Sequence, residues 1–307
     1  MHGDLLSEAL AAVTTAPALS VNVYASAPWG SRFGGRGGYG FHVVVRGSCW
    51  LLHKGADPIL LQPGDVVLVP SGEVHTLADP LDTEPVDLVA NDRIGRVVVG
   101  GYGAETVLLS GAYRMEHGGR HPLLANLPDL VHLRDHGQHR LHTVVGLLSA
   151  EIEDSSPGNA AVVGALVDAL LIYILRTWYE GRPTGWTAAM NDPAIGSTLH
   201  RIHSTPAEPW TVDRLAREAG LARATFTRRF TALVGEPPLT YLTRWRMITA
   251  ARLLRREPKP LAAIGRQVGY NSEFAFAKAF KREYGLAPGE YRRNRSQSMK
   301  SRMGVGN

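Results

Sequence analysis

The spacing of hydrophobic and polar positions changes character several times along the chain. Residues 1–15 place Leu5, Leu6, Ala9, Leu10 and Val13 near helical spacing, which predicts a short amphipathic helix. From Leu19 to about Leu133 the apolar residues come in short runs, at 41–45, 50–52, 59–61 and 66–69, separated by Gly, Pro and Asp. Strands at that spacing predict an all-β sandwich or barrel. Residues 30–40 hold six glycines in eleven positions, and a loop is expected there. From Arg140 the helical period returns, with Leu141, Val144, Val145, Leu148 and Ile152 on one face. Residues 155–159, Ser-Ser-Pro-Gly-Asn, break the pattern before a second helix carrying Val163, Leu166, Leu170, Ile174 and Trp178. This pair either packs on the β region or meets a second copy of the chain. Residues 181–188 are expected to be a linker.

After Pro193 helices are dense and turns short. Thr211 is positioned to cap a helix carrying Leu215, Ala216 and Ala219, and Arg214 at its third position means that no capping box forms. Gly220 stops that helix. The next runs from about Ala222 to Val234, with Phe226, Phe230 and Leu233 on one stripe and Ala224, Thr227, Arg228 and Thr231 facing away. Helix, glycine turn and a helix with a basic outer face make a helix-turn-helix pattern. It recurs: residues 261–268 close on Gly269, and Asn271-Ser272 precede a helix over 273–284 with Phe276 and Phe280 inside and Ala277, Lys278 and Lys281 outside. Residues 239–256 read as one long arginine-rich helix between the two units.

Charge sharpens this division. Residues 191–307 hold 21 Lys and Arg against 9 Asp and Glu, a balance of +12; residues 1–190 hold 12 against 19, a balance of −7. A basic half binds polyanions by releasing their condensed counterions, so nucleic acid is the expected partner of the C-terminal half. The 307 residues suffice for two domains, with 44% hydrophobic and 20% charged residues as in globular chains. No signal peptide and no apolar run of membrane length is read, which predicts a cytoplasmic protein without a membrane partner. The single cysteine, Cys49, excludes an internal disulfide and reads as a buried strand residue.

Residues 210–292 resemble the AraC/XylS family of bacterial regulators. The likeness rests on Leu215-Ala216, Gly220, Phe226, Arg229-Phe230, the run Gly235-Glu236-Pro237-Pro238, Tyr241, Arg246 and Ala250-Ala251. It closes on Val268-Gly269-Tyr270, Phe276, Ala279-Phe280-Lys281-Arg282, Gly285, Pro288 and Tyr291-Arg292. Two positions depart: Ala222 stands where a capping Ser is common, and Gly265 where Ala is usual, which should loosen that helix by about 1 kcal/mol. The resemblance implies two reading helices in adjacent major grooves. Their base-facing residues would be Arg223, Ala224, Thr227 and Arg228 in the first, and Glu273, Phe274, Ala277 and Lys278 in the second. Arg229, Arg246, Lys281 and Arg282 are the expected phosphate contacts.

In the acidic half, Gly64, Pro70, Gly72 and His75 stand at the spacing of the second cupin motif, Gly-x5-Pro-x-Gly-x2-His. The first motif is degraded: there is no His-x-His pair, and Gly40 occupies the usual Glu position. His42, two residues on, should face the same interior as Gly40 and approach His75. With Trp50, these two histidines are the expected effector pocket. A metal held by His42 and His75 would lack the three protein ligands usual for catalytic zinc, so a hydrogen-bonded histidine pair is the preferred reading and no cofactor is expected. His53, His117 and His121 are the other histidines nearby.

The expected architecture is therefore α+β: a cupin-like jelly-roll barrel over 1–137, a helical connector and linker over 138–189, a tandem helix-turn-helix domain over 190–295 and a basic tail over 296–307. The expected function is a transcription regulator, not an enzyme, whose partners are duplex DNA, a small-molecule effector, RNA polymerase and a second copy. A cupin enzyme fused to a DNA-binding module is the rival, as is a barrel that only dimerises; no complete ligand set, acid–base pair or phosphate-binding loop supports the enzyme.

Overall fold

The computed structural model describes residues 5–34, 38–70, 72–88, 95–115, 121–134, 139–154, 156–180, 182, 185–256 and 258–294. His117 and the basic tail fall outside them. The described residues form two compact units.

One unit takes its residues from 16–115 and 127–181. The chain enters it from α1 (Leu5–Val13) through β1 (Thr14–Ser26), followed by β2 (Trp29–Phe33), β3 (Tyr39–Arg46), β4 (Cys49–His53), β5 (Ile59–Leu61), β6 (Val66–Val69), β7 (His75–Asp79), β8 (Val86–Asp87), β9 (Gly95–Gly100) and β10 (Glu105–Met115). After α2 (Pro122–Ala125) it returns as β11 (Val131–Leu133). Two sheets result, with strand orders β11-β6-β3-β10-β1-β9 and β5-β4-β7-β2-β8. Alternation puts Val21, Val23, Ala25, Val44, Cys49, Leu51, Leu61, Val67, Val69, Leu77 and Leu108 in the core between them. Residues 63–65 make a tight turn: Asp65 N donates to Gln62 O, and Asp65 Oδ2 accepts from Gln62 N and meets His132 Nε2 at 3.1 Å, tying β11 to the barrel.

The loop expected over 30–40 is a correction, because residues up to Phe33 belong to β2. Gly30 serves a close approach instead: a Cβ there would sit 3.0 Å from the Pro85 backbone.

Outward residues of the six-stranded sheet carry the helical pair α3 (His139–Glu153) and α4 (Asn159–Tyr179). Asn22 Nδ2 donates to Ser149 O and Glu153 Oε1, and Tyr113 Oη donates to Val167 O at 3.0 Å. Of the two alternatives left open for this pair, packing on the β unit is what these bonds establish. By length and composition α4 could cross a membrane, which a count of apolar runs missed; Val163, Val167, Leu170, Leu171, Ile174 and Leu175 of it are buried in the fold.

The other unit draws on residues 1–15, 116–126 and 182–307. It contains α1, α2, α5 (Gly185–Asn191), α6 (Pro193–Ser204), α7 (Val212–Glu218), α8 (Arg223–Val234), α9 (Pro238–Arg256), α10 (Leu261–Gln267) and α11 (Glu273–Tyr284). The linker expected over 181–188 is corrected in its second half, where α5 buries Trp186 and Ala189. The division into units also differs from a linear one. The N-terminal helix belongs with the C-terminal half, packing on α6 and α9 through the face that carries the buried Leu6, Ala9 and Leu10.

Candidate nucleic-acid interface and histidine sites

Two helix pairs, α7–α8 and α10–α11, repeat one local design. Thr211 Oγ1 accepts from Arg214 N to start α7, and Ser272 Oγ accepts from Ala275 N to start α11. Gly220 and Gly269 make the turns at φ +66° and +85°, which only glycine adopts without strain. Phe226, Phe230 and Val234 anchor α8, and Phe276 and Phe280 anchor α11. Burying aromatic side chains on one face fixes which residues face out. Arg223, Ala224 and Arg228 of α8 and Glu273, Phe274 and Lys278 of α11 are exposed; Thr227 and Ala277 are half-buried beside them. Phe274 is 78% exposed, an unusual position for a large apolar ring and one suited to an apolar partner such as a thymine methyl. Arg223 lies 3.3 Å from Asp213, whereas Arg228 engages no other side chain among the described residues.

The four residues expected at phosphates separate into two pairs. Lys281 and Arg282 are exposed near the end of α11. Arg229 is instead paired with Asp192, whose other oxygen accepts from Ala194 N and Ile195 N and caps α6. Burial alone would raise the Asp192 carboxyl, but the bonds from Ile195, Arg229 and Ala194 hold it below its ordinary value. Arg246 is half-buried, with Nε donating to Pro206 O at 2.7 Å and Nη2 to Glu208 O at 2.8 Å. Two of the five N–H groups of Arg246 are thus committed to backbone carbonyls, which weakens the phosphate expectation for it, as the ion pair does for Arg229.

A buried polar chain crosses the core of the same unit. Leu123 N donates to His121 Nδ1, so the proton of a neutral His121 sits on Nε2, 3.1 Å from Tyr241 Oη. The Tyr241 hydroxyl can then donate to His203 Nε2 at 2.5 Å, and His203 Nδ1–H points to Glu8 Oε2 at 3.1 Å. Every member has one role, provided both rings are neutral. Burial pushes both histidines below their ordinary value, with the carboxylate of Glu8 opposing the shift at His203. Trp245 stacks on His203 at 3.7 Å and Trp186 meets His121 edge-on. His121 thus serves the helical unit, and no feature of its sequence context signals that.

The barrel unit holds a second ordered chain. His42 Nε2 and His75 Nε2 are 2.7 Å apart; His42 Nδ1 is 2.9 Å from Ser110 Oγ and His75 Nδ1 is 2.9 Å from Glu73 O. A carbonyl accepts only, so His75 carries its proton on Nδ1, His42 donates from Nε2, and Ser110 donates to His42 Nδ1. Burial lowers the pKa of both rings, and each is further affected by a neighbouring histidine. Phe33 covers the pair, 4.5 Å from His42 and stacked at 5.8 Å on His75. A Cβ at position 40 would stand 3.5 Å from His75 Cε1, so Gly40 and His42 do share the interior. Trp50 is a correction: it alternates with the core residues Cys49 and Leu51, so it faces away from them. Phe33 and Ser110 were missed, the first because its strand was taken for a loop.

The donor set does not fit a resident metal. The two Nε2 atoms are bonded to each other, His53 Nε2 lies 3.7 Å from Glu73, and no three ligand residues converge among the described residues.

Comparison with known proteins agrees with the two-part construction. A cupin family model matches residues 4–180 and a helix-turn-helix domain model matches residues 215–294. An AraC-like transcription regulator of Streptomyces antibioticus is 36% identical over 302 residues, covering 95% of this chain and 99% of that protein. The RCS-specific HTH-type transcriptional activator RclR of Escherichia coli is 30% identical over 266 residues, covering 82% and 83%. Among solved structures, an AraC-type regulator of Chromobacterium violaceum is 26% identical, covering 36% of this chain and 97% of its own, with a TM-score of 0.34. The exposed basic reading helices and the full-length kinship lead to one conclusion: the chain is a DNA-binding transcription regulator that belongs to the AraC family and carries a cupin domain.

Proposed function

We propose that this regulator reads duplex DNA at two successive major-groove faces, with α8 and α11 as the reading helices, and that a small molecule at the His42–His75 pair of the barrel controls it. The carrying observation is the repeat of one design: two helices, each entered through a glycine turn, anchored by buried phenylalanines and joined through α9, present Arg228 and Lys278 on their exposed faces. Such a pair suits grooves ~34 Å apart along the helix axis. Arg223, Ala224, Thr227, Glu273, Phe274 and Ala277 complete the base-facing set, and Lys281 and Arg282 reach phosphates.

For the barrel, two buried histidines under Phe33 make a polar spot in an apolar interior, suited to orienting a ligand. The effector acts only through its differential affinity for the two states of the regulator. The barrel is a sensor and not a catalyst in this reading. RNA polymerase and a second copy are further partners, the latter supported by the exposed Leu147 and Val162 on α3 and α4, and the cytoplasm is the site of action.

The test is selection of bound duplexes from a random pool, followed by footprinting at two salt concentrations. One enriched site with two protected segments about a helical turn apart, and binding that weakens steeply with salt, is the expected result. Salt-sensitive binding with no enriched sequence, with and without cell-extract small molecules, would overturn the reading.

A further inference from the structure

A covalent link between two reading units does not by itself set the angle between them. Two arginines of α9 reach both. Arg246 donates from Nε to Pro206 O at 2.7 Å and from Nη2 to Glu208 O at 2.8 Å, in the segment that leads into α7. The same guanidinium lies against Gly269, the turn of the second pair: a Cβ there would come 2.7 Å from Arg246 Nη2 and 2.9 Å from Ala207 O. The Tyr270 ring is 5.9 Å from its charge. Arg244 works from the neighbouring side. Its Nη2 is 3.1 Å from Glu236 Oε2, in the turn between α8 and α9, and its Nε is 3.8 Å from Glu283 Oε1 near the end of α11. Each guanidinium therefore touches a segment flanking the first helix pair, the lead into α7 or the turn after α8, with one edge and the second pair with another.

We propose that Arg246, with Arg244 as a second clamp, is a positioning residue that sets the spacing of the DNA elements this regulator accepts. A guanidinium directs several donors in fixed directions, so it can hold two segments at one angle; an ammonium concentrates its charge at a point and cannot. Gly269 is required on the same account, since a side chain there would displace the clamp. The proposal rests on the two-groove reading above. One base pair added between the elements rotates them by roughly 35° about the duplex, which a rigid protein cannot follow.

The experiment uses the full chain and duplexes carrying the selected site with its native spacer, or with one base pair added or removed. Binding is measured at several salt concentrations for the wild type, Arg246→Lys, Arg244→Gln and, as a phosphate control, Lys281→Ala. For Arg246→Lys the expected loss is about tenfold at the native spacing and under about twofold at the altered ones, with an unchanged salt slope. Arg244→Gln should narrow the same spacing preference, and it carries the test alone if circular dichroism shows that Arg246→Lys does not fold. Equal losses on every spacer, with a salt slope lower by about one, would make Arg246 a phosphate contact and overturn the proposal. So would spacing preference unchanged in both variants. A wild type indifferent to spacing overturns the two-groove reading itself, before any variant is compared.

Discussion

Tyr241 occupies the middle of a buried hydrogen-bond chain, accepting from His121 and donating to His203. Tyr241→Phe removes both links and leaves two buried ring nitrogens unsatisfied, at a cost of about 1–3 kcal/mol each. Acid should act on the same groups. Burial holds His121 and His203 below their ordinary value, so the folded unit keeps them neutral where the unfolded chain protonates them. Stability is therefore full above the unfolded value of about 6.5 and declines as pH falls below it. His42 and His75 shift in the same direction and add to the effect. Urea midpoints measured from pH 8 to pH 5 should be flat at the alkaline end and fall below about 6.5; a flat profile throughout would contradict the neutral assignment. Cys49 lies outside this chemistry, since burial pushes its thiol up to about 12. At this scale the sequence was only partly legible. That His42 and His75 approach one another followed from motif spacing and strand parity. The turning away of Trp50 depended on where β4 begins, and the chain through Glu8, His203, Tyr241 and His121 joins positions up to 195 residues apart, a separation that no local pattern spans.

The helices of the basic half were legible because local signals agreed with the fold: turn glycines and phenylalanine stripes mark both pairs, and side-chain caps open α7 and α11. What faces outward on them sets the test of their roles. Arg228→Ala should cost about 1–3 kcal/mol on the selected site and relax its sequence preference, while Lys281→Ala should weaken all duplexes alike and lower the salt slope by about one. Parallel losses on selected and random DNA for Arg228→Ala would refute its base-reading role. Gly265 shows the limit of propensity arguments. Its replacement by Ala should add about 1 kcal/mol of helix stability, yet the new Cβ would meet Phe276 at 3.3 Å. The net gain in a thermal melt is expected to fall short of that figure because Phe276 must shift in a filled core. The strand β2 and the helix α5 were misread for the opposite reason: the glycines that follow β2 and the Gly181, Pro183 and Gly185 around the start of α5 signal turns, and only tertiary packing, of Gly30 on Pro85 and of Trp186 in the core, makes the two elements regular.

At the level of the whole molecule, the two units are interleaved in sequence. A fragment of residues 190–307 has both reading units but lacks α1, whose face with Leu6, Ala9 and Leu10 packs on α6 and α9, and it lacks Glu8 and His121. Burying one leucine is worth about 1.5–3 kcal/mol, so the fragment should unfold at distinctly lower urea than the same helices in the full chain, as followed by circular dichroism. An equal midpoint would show that α1 adds nothing.

The position of α1 also carries a consequence for how the protein is made. Chains emerge from the ribosome N-terminus first, at about 5–20 residues per second, and domains fold as units once complete. Glu8 is synthesised 195 residues ahead of its partner His203. The barrel and its helical pair end at 181, so all of that unit is available while α1 still lacks the helices it docks on. A helix translated ahead of the whole barrel thus finds its place only after it, and its apolar face stays uncovered for roughly ten seconds or more of synthesis.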